Sequence, residues 1–144
     1  MRFMIIVKAT PYTEKGNPIA ETLKKHPAVF AAMTAYHEDL AKAGALLDCS
    51  GLHPTSKGWR VKYSGNTRTV VDGPFTEAKE LIAGYTLFQA KSKEEAMEWV
   101  RRFPNPSVDG SEGEIEVRQL FELDEFGESA EIDRFRRIQD ESRK

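Results

Sequence analysis

Residues 58–73, GWRVKYSGNTRTVVDG, are the stretch of the sequence that most clearly indicates a β-hairpin. Apolar and charged side chains alternate over residues 59–63, as they do in a strand with two different faces. Gly65 and Asn66 fit a two-residue turn with glycine first, and TRTVV then returns antiparallel to the first strand. The pattern predicts a hairpin that ends at the Asp-Gly pair.

The turn also predicts the register of this hairpin. With Gly65–Asn66 as the turn, Val61 opposes Val70 and Trp59 opposes Asp72. Paired residues share a face, so one face is expected to carry Trp59, Val61, Tyr63, Val70 and Asp72, and the other Arg60, Lys62, Thr69 and Val71. Arg68 then faces away from Arg60 and Lys62, which favours solvated cations over a nucleic-acid patch.

Four further strands are predicted on either side of the hairpin. ALLDCSGL (residues 45–52) precedes it and LIAGYTLFQA (81–90) follows it, with Gly84 marking a bulge or a close backbone approach. The first strand is predicted over residues 2–8, which contain FMIIV, and the last over EIEVRQLFEL (114–123). Between the hairpin and the 81–90 strand, TEAKE (76–80) is long enough for one helical turn.

Two helices are expected from apolar spacing. The first runs over residues 27–43 after a loop at 11–18, and its buried stripe comprises Val29, Met33, Tyr36 and Leu40. The second opens at Ser92, which forms an S-x-x-E capping box with Glu95, and ends before Pro104. Its buried face comprises Ala96, Trp99, Val100 and Phe103.

The resulting order is β-α-β-β-β-β-α-β, which predicts an α+β ferredoxin-like sandwich with both helices on one face of the sheet. The strands FMIIV and YTLF carry bulky groups on both faces, and monomers rarely leave that much apolar area exposed. The pattern therefore predicts an obligate homodimer through the open sheet face. A charge at Ile5 or Val7, whichever faces the partner, is expected to unfold the protein.

The composition of the chain indicates the cellular compartment and excludes some classes of partner. The chain has 144 residues, a net charge of −2 and one cysteine, Cys49, which fits a single domain in a reducing cytoplasm. No apolar run is long enough to span a membrane, and the N-terminus does not resemble a signal peptide. The near-neutral balance of charges argues against a nucleic-acid partner.

The domain is expected over residues 1–123, and residues 124–144 read as a charged extension, helical at best, docked on a partner subunit or frayed.

The motif Asp72-Gly73-Pro74-Phe75 closes the hairpin. Pro74 cannot continue a strand ladder, so the strand must end here. Two readings stay open: a strand-ending turn with Phe75 inserted into the core, or a turn that presents the Asp72 carboxylate to a cleft.

Around this motif the chain resembles the YCII-related family, specifically its DGPF branch. The matching segments span roughly residues 1–123: MRFMIIVKA, YHEDLAKAGALLDCSGLHP, VVDGPFTEAKELIAGYTLF, EEAMEWVRRFP and GEIEVRQLFE. The resemblance implies a ferredoxin-like dimeric α/β barrel and a homodimer. It also implies an association with extracytoplasmic-function sigma factors, beside or fused to which some members are encoded. It implies no particular substrate.

The chain departs from founder-type members at two positions. Those members carry a histidine early in the first helix and an aspartate before a proline after the second helix, a pair suggestive of acid–base chemistry. Here the matching positions are Met33 and Phe103, neither of which can transfer a proton. A site in this chain must therefore be built from other residues.

The candidate catalytic residues are Asp72, His53 and His37, because an imidazole oriented by a carboxylate suits proton transfer near neutral pH. Asp72 is predicted to share a pocket with His53 or His37, although a structural His37 and a surface His53 remain alternatives. His26 is expected to be exposed. Histidine spacing indicates no metal site, and no cofactor motif occurs. Cys49 is not expected to act as a nucleophile, because the negative charge of the adjacent Asp48 disfavours the thiolate.

Three functions remain open from the sequence. The first is a small cytoplasmic enzyme that uses His/Asp proton transfer on a small molecule. The second is a non-catalytic ligand-binding or regulatory module linked to a sigma-factor system. The third is an interaction protein that engages a partner through its C-terminal extension.

Overall fold

The computed structural model of the protein describes residues 1–77 and 79–143. Within them the strands are β1 (Arg2–Lys8), β2 (Leu46–Gly51), β3 (Trp59–Ser64), β4 (Thr67–Asp72), β5 (Ile82–Gln89) and β6 (Ile115–Gln119). The α-helices are α1 (Pro11–Glu14), α2 (Ile19–Lys25), α3 (Pro27–Lys42), α4 (Lys93–Arg101) and α5 (Ala130–Ser142). Two short 3₁₀ turns lie at Thr55–Lys57 and Leu123–Phe126.

The strands form two separate antiparallel sheets. One has four strands in the order β2-β5-β1-β6, and the other is the β3–β4 hairpin alone. Without the hairpin, the chain follows two β-α-β units whose outer strands flank β1 and β5, which is the ferredoxin-like arrangement. The predicted α+β class is confirmed, with the hairpin inserted as a sheet of its own.

The hairpin has the register that its turn predicts. Trp59 pairs with Asp72, Val61 with Val70, and Ser64 with Thr67. All side chains from residue 61 to residue 72 are exposed. The hairpin therefore projects from the four-stranded sheet and is attached at its base.

The prediction for Gly84 is also confirmed. A Cβ at this position would lie 2.9 Å from the carbonyl oxygen of Ser50 on the neighbouring strand. Next to this close approach, the pairing of β1 with β5 slips by one residue, between Val7 and Lys8. Glycine here lets β2 and β5 pack closely where the sheet bulges.

The core lies between one face of the four-stranded sheet and helices α3 and α4. Its buried residues are Phe3, Ile5, Tyr36, Leu40, Ala45, Phe88, Ala90 and Ala96. Trp99, Val100 and Phe103 pack against it, as the predicted helical stripes require. Ile5 is fully buried on this helix-covered side, and Val7, two residues later, shares its face. The expectation that one of these two residues faces a partner is therefore wrong.

The opposite face of the sheet is not covered by α3 or α4. It carries the cross-strand pairs Met4–Leu87 and Ile6–Tyr85, which alternate with the core pairs on the same strands. All four side chains are half-buried. This open sheet face, defined by Met4, Ile6, Tyr85 and Leu87, is apolar at its centre.

Local capping explains where the structure agrees with the predicted helices and where it differs. The Ser92 hydroxyl accepts from the Glu95 amide (3.1 Å) at the start of α4, as expected, but the Glu95 carboxylate accepts from the amide of Lys91, so the box is shifted by one residue. The segment 11–18, predicted as a loop, contains α1. Thr10 and Thr13 cap this helix reciprocally through their hydroxyls, a variant of the box without an acidic residue.

Helix α2 was not predicted from the sequence, and β6 ends at Gln119, four residues before the predicted end of the last strand. Residues 124–144, expected to be helical at best, include α5, whose first turn is capped by the Ser129 hydroxyl. The helical turn predicted over 76–80 includes Ala78, which lies outside the described residues, although the amide of Glu80 donates to the carbonyl of Glu77 at 2.8 Å. In the described ranges no helix has the length and apolarity to cross a bilayer.

Tyr36 couples the two helices of the core and is ionisable. Its ring is 4% exposed, and its hydroxyl donates to the carbonyl of Trp99 at 2.9 Å. Burial raises the pKa of Tyr36 to about 12, although the positive charge of Arg102 lowers this pKa in part. The folded protein thus holds this phenol neutral at pH values where the unfolded chain, with a pKa near 10.0, releases its proton.

We therefore expect alkaline destabilisation through Tyr36. Because the folded pKa is raised, this contribution is complete below pH 10 and is lost as the pH rises towards 12, by roughly 2–3 kcal/mol in total. Urea unfolding across this interval should show a steeper loss in the wild type than in Tyr36→Phe. Tyr63→Phe, on the exposed hairpin, is the control and should follow the wild type. Parallel curves for the wild type and Tyr36→Phe would contradict the assignment.

Candidate functional site

The turn after β4 is bonded to the 3₁₀ turn that follows β2. The amide of Gly73 donates to the carbonyl of Gly58 at 2.9 Å. The amide of Phe75 donates to the hydroxyl of Thr55 at 3.0 Å. These two bonds fix the DGPF motif to the loop between β2 and β3, and together the two segments form the hairpin base.

A carboxylate from α1 completes the hairpin base. Glu14 accepts from the amide of Thr55 at 3.1 Å and from its hydroxyl at 2.6 Å. Since the Thr55 hydroxyl donates to Glu14, its oxygen accepts from Phe75, and a continuous chain links α1 to the DGPF turn. Glu14 is not among the residues predicted from the sequence, because nothing local to α1 shows that its carboxylate contacts a residue 41 positions away.

Gly73 is required at this contact. An added Cβ would lie 1.8 Å from the carbonyl oxygen of Thr55, a distance at which real atoms do not coexist. The next peptide bond, Gly73–Pro74, is cis. The backbone of the DGPF motif therefore lies directly against the 3₁₀ turn, with no room for a side chain between them.

Phe75 lies beneath a cation and not in the core. Its ring is half-buried, and the guanidinium of Arg60 lies 3.8 Å from the ring centroid. Arg60 also pairs with Glu77 at 3.4 Å. The pKa of Glu77 is lowered, first by a backbone hydrogen bond and then by Arg60. The reading in which Phe75 enters the core is thus wrong, and Phe75 instead anchors the outer surface of the hairpin base.

His53 and Asp72 lie on the two segments that form the hairpin base. His53 is exposed and precedes Thr55 by two residues. Asp72 is exposed, ends β4 and is followed directly by Gly73. The hydrogen bonds of Thr55 and Gly73 therefore hold together the segments that carry these two ionisable side chains.

His37 lies elsewhere, between α3 and the helix-covered face of the sheet. Its Nδ1 is 2.8 Å from the carbonyl oxygen of Met33, and its Nε2 is 2.8 Å from the hydroxyl of Thr86. A carbonyl only accepts, so Nδ1 carries a proton, and in the neutral ring Nε2 accepts from Thr86. Thr86 is 2% exposed, so the side chain that His37 contacts is buried. In this geometry His37 links α3 to β5.

The positions that match the founder-type acid–base pair are filled by apolar contacts. Phe103 lies edge-on to the rings of Tyr36 and His37, with centroid distances of 5.1 and 6.3 Å. Met33, one turn before His37, offers only its backbone carbonyl to the imidazole. Phe103 and Ile115 also line a shallow cavity of about 260 Å³. Neither of the two positions therefore supplies a side chain that can transfer a proton.

Two further residues with sequence-based predictions are His26 and Arg68. His26 is half-buried and contacts Tyr12 edge to face, so the expectation that it is exposed is wrong. Arg68 lies over Tyr63 at 5.2 Å, on the hairpin face opposite to Arg60, as the register predicts. In residues 1–77 and 79–143, no group of three or more His, Cys, Asp or Glu side chains is arranged to hold a metal ion.

Comparison with known proteins gives a family match and a relative. The model of the YCII-related domain matches residues 1–124. An uncharacterized protein of Rhizobium meliloti is 29% identical over 109 residues, which cover 76% of this chain and 86% of the relative. The family match spans strands β1 to β6 and the core helices α3 and α4, and it ends inside the Leu123–Phe126 turn, before α5.

Proposed function

Because this chain belongs to the YCII-related domain family, we propose that it acts on a small molecule at the hairpin base, with His53 and Asp72 as the proton-exchanging groups. The observation that supports this most directly is the hydrogen-bond chain from Glu14 through Thr55 to Phe75. That chain holds the segment of His53 against the turn of Asp72 before any ligand binds. When hydrogen bonds already hold the residues of a binding site in place, less conformational entropy is lost on ligand binding.

The chemistry of these two residues fits the proposal. Both side chains are exposed, so a ligand can reach them without displacing core residues. An imidazole and a carboxylate that converge on one ligand can accept and return a proton near neutral pH. His37 has no part in this step, because both of its ring nitrogens are bonded within the fold.

Metabolite profiling tests the proposal. The wild type, His53→Gln and Asp72→Asn are each incubated with a small-molecule extract, and the bound and consumed compounds are measured by mass spectrometry. We expect a compound that the wild type binds or consumes, with a loss of about tenfold or more in either variant, as for removal of a charged hydrogen-bond partner. Asp140→Asn, an exposed change on α5, is the matched control. Unchanged profiles in both site variants would contradict the proposal.

A second candidate is binding without turnover, in a regulatory module that works with an extracytoplasmic-function sigma factor. The apolar Met33 and Phe103 favour it, because the acid–base pair of founder-type members has no equivalent at these positions. In the same experiment, a compound retained but not consumed by the wild type would support this candidate. Consumption that depends on His53 and Asp72 would exclude it.

The proposal includes a cytoplasmic homodimer of the DGPF branch, joined through the open sheet face as a dimeric α/β barrel. Met4, Ile6 and Leu87 supply apolar area at the centre of that face, and monomers rarely expose such a patch. The polar groups around it are already paired: Tyr85 donates to Asp48 at 2.8 Å, and Lys8 pairs with Glu116 at 3.2 Å. Burying this face would thus leave few polar groups without partners.

The C-terminal extension is part of the same proposal. Phe121 and Phe126 contact each other at 5.3 Å yet remain 71% and 58% exposed. On α5, Phe135 and Ile138 are also exposed, three residues apart on one face. We assign these side chains to the rim of the dimer.

A further inference from the structure

A cleft between α1 and α2 carries a second set of polar side chains. It has a volume of about 270 Å³ and is lined by Tyr12, Asn17, Glu21, Thr22, Lys25 and His26. The cleft and the hairpin base share α1, which directs Glu14 to Thr55 and Tyr12 to the cleft. Neither His53 nor Asp72 lines it.

The floor of the cleft is organised by hydrogen bonds within the protein. The hydroxyl of Thr22, which is 5% exposed, donates to the carbonyl of Pro18 at 3.3 Å. The contact of 3.2 Å between Tyr12 and Thr22 is therefore donated by Tyr12, whose oxygen keeps its acceptor lone pairs. The rings of Tyr12 and His26 meet at right angles, 5.8 Å apart. These contacts hold the side chains of the floor in place without a ligand.

The rim carries two opposite charges that are not paired with each other. Glu21 and Lys25 lie one turn apart on α2, a spacing that places them on the same helix face. Among the residues that the structure describes, neither makes an ion pair within 4.0 Å. Both charges border the cleft and remain available to a bound molecule.

We propose that this cleft binds a small zwitterion of the amino-acid type. Its ammonium would pair with the carboxylate of Glu21, and its carboxylate with the ammonium of Lys25 and the amide of Asn17. A ligand with both charges satisfies both sides of the rim, whereas a single charge leaves one side unmatched. The volume of about 270 Å³ is slightly below the range of about 300–1,000 Å³ that drug-sized ligands occupy, so it suits a free amino acid better than a nucleotide.

Three matched probes test the charge requirement: L-alanine, propionate and ethylamine. Binding to the full chain is measured by saturation-transfer NMR and by calorimetry. We expect binding of L-alanine and at least about tenfold weaker binding of the two singly charged probes, the loss for one charged contact. Equal binding of propionate or ethylamine, or no binding of L-alanine, would overturn the proposal.

Variants then locate the site. Glu21→Gln and Lys25→Met should each weaken L-alanine binding by about tenfold or more. Lys24→Met is the matched control, because Lys24 is the adjacent exposed lysine and does not line the cleft. An equal loss in Lys24→Met would overturn the assignment. Asp72→Asn should bind L-alanine like the wild type, so this cleft and the site at the hairpin base can fail independently.

Discussion

Gly73→Ala is expected to destabilise the protein by about 3 kcal/mol, at the upper end of overpacking effects, and to lower Tm by roughly 10 °C. The added Cβ would meet the carbonyl oxygen of Thr55 at 1.8 Å, and backbone on both sides of the contact cannot move aside as a flexible side chain can. The DGPF turn must therefore separate from the 3₁₀ turn. The bonds from Gly73 to Gly58 and from Phe75 to Thr55 should break with it.

Calorimetry and amide hydrogen exchange together check this prediction. The amides of Gly73 and Phe75 should lose protection in Gly73→Ala, while those of the four-stranded sheet keep it below Tm. Gly51→Ala is the matched control, because no atom lies within 4 Å of its added Cβ and its φ is not in the left-handed region. If both variants had the same Tm, the close approach at Gly73 would be refuted. If Gly73→Ala does not fold, Thr55→Val, which replaces the hydroxyl with a methyl group of similar size, should still remove the protection of the Phe75 amide.

The second large effect concerns assembly. Ile6→Lys is expected to abolish the proposed homodimer and to leave the chain largely unfolded at micromolar concentration, because a charge would enter the centre of the open sheet face. An obligate contact of this kind buries on the order of 1,000 Å² per subunit, enough to link folding to association. Sedimentation and circular dichroism measure the two consequences separately.

Two comparisons make the assembly test specific. Met97→Lys adds the same charge at a side chain that is 43% exposed on α4, and this control should remain a folded dimer. Ile5→Lys buries a charge between the sheet and the helices, so it should unfold the chain for a reason unrelated to the dimer. A wild type that sediments as a stable monomer at micromolar concentration would refute the homodimer.

Local sequence rules predicted those parts of the fold that depend on neighbouring residues. The turn at Gly65 fixes the β3–β4 register because a two-residue loop allows few alternatives. The stripe through Tyr36 and Leu40 identified the buried side of α3. In contrast, α1 was missed because four residues between a threonine and a lysine carry no periodicity, and its cap is formed by Thr10 and Thr13.

The candidate site was less predictable. The DGPF motif identified the position of Asp72, since proline and glycine determine where a strand ends. The partners of that turn, Glu14 and Thr55, are separated by 41 residues and meet only in the folded chain. The hydrogen bonds of His37 likewise depend on how α3 packs on β5, which no spacing in the sequence records. Distances between residues that are remote in the sequence depend on the fold, so the spacing of residues in one sequence does not predict which of them share a site.

The separation of the two sheets affects how the protein opens. Among the described residues, β3 and β4 pair only with each other, and their side chains beyond the base are solvated. Such a unit exchanges its amides through its own local unfolding, at a free energy well below that of the whole domain. The hairpin should therefore form a separate foldon that fluctuates on a faster timescale than the core. Its length or tip could then be altered in engineered variants while the four-stranded sheet stays folded.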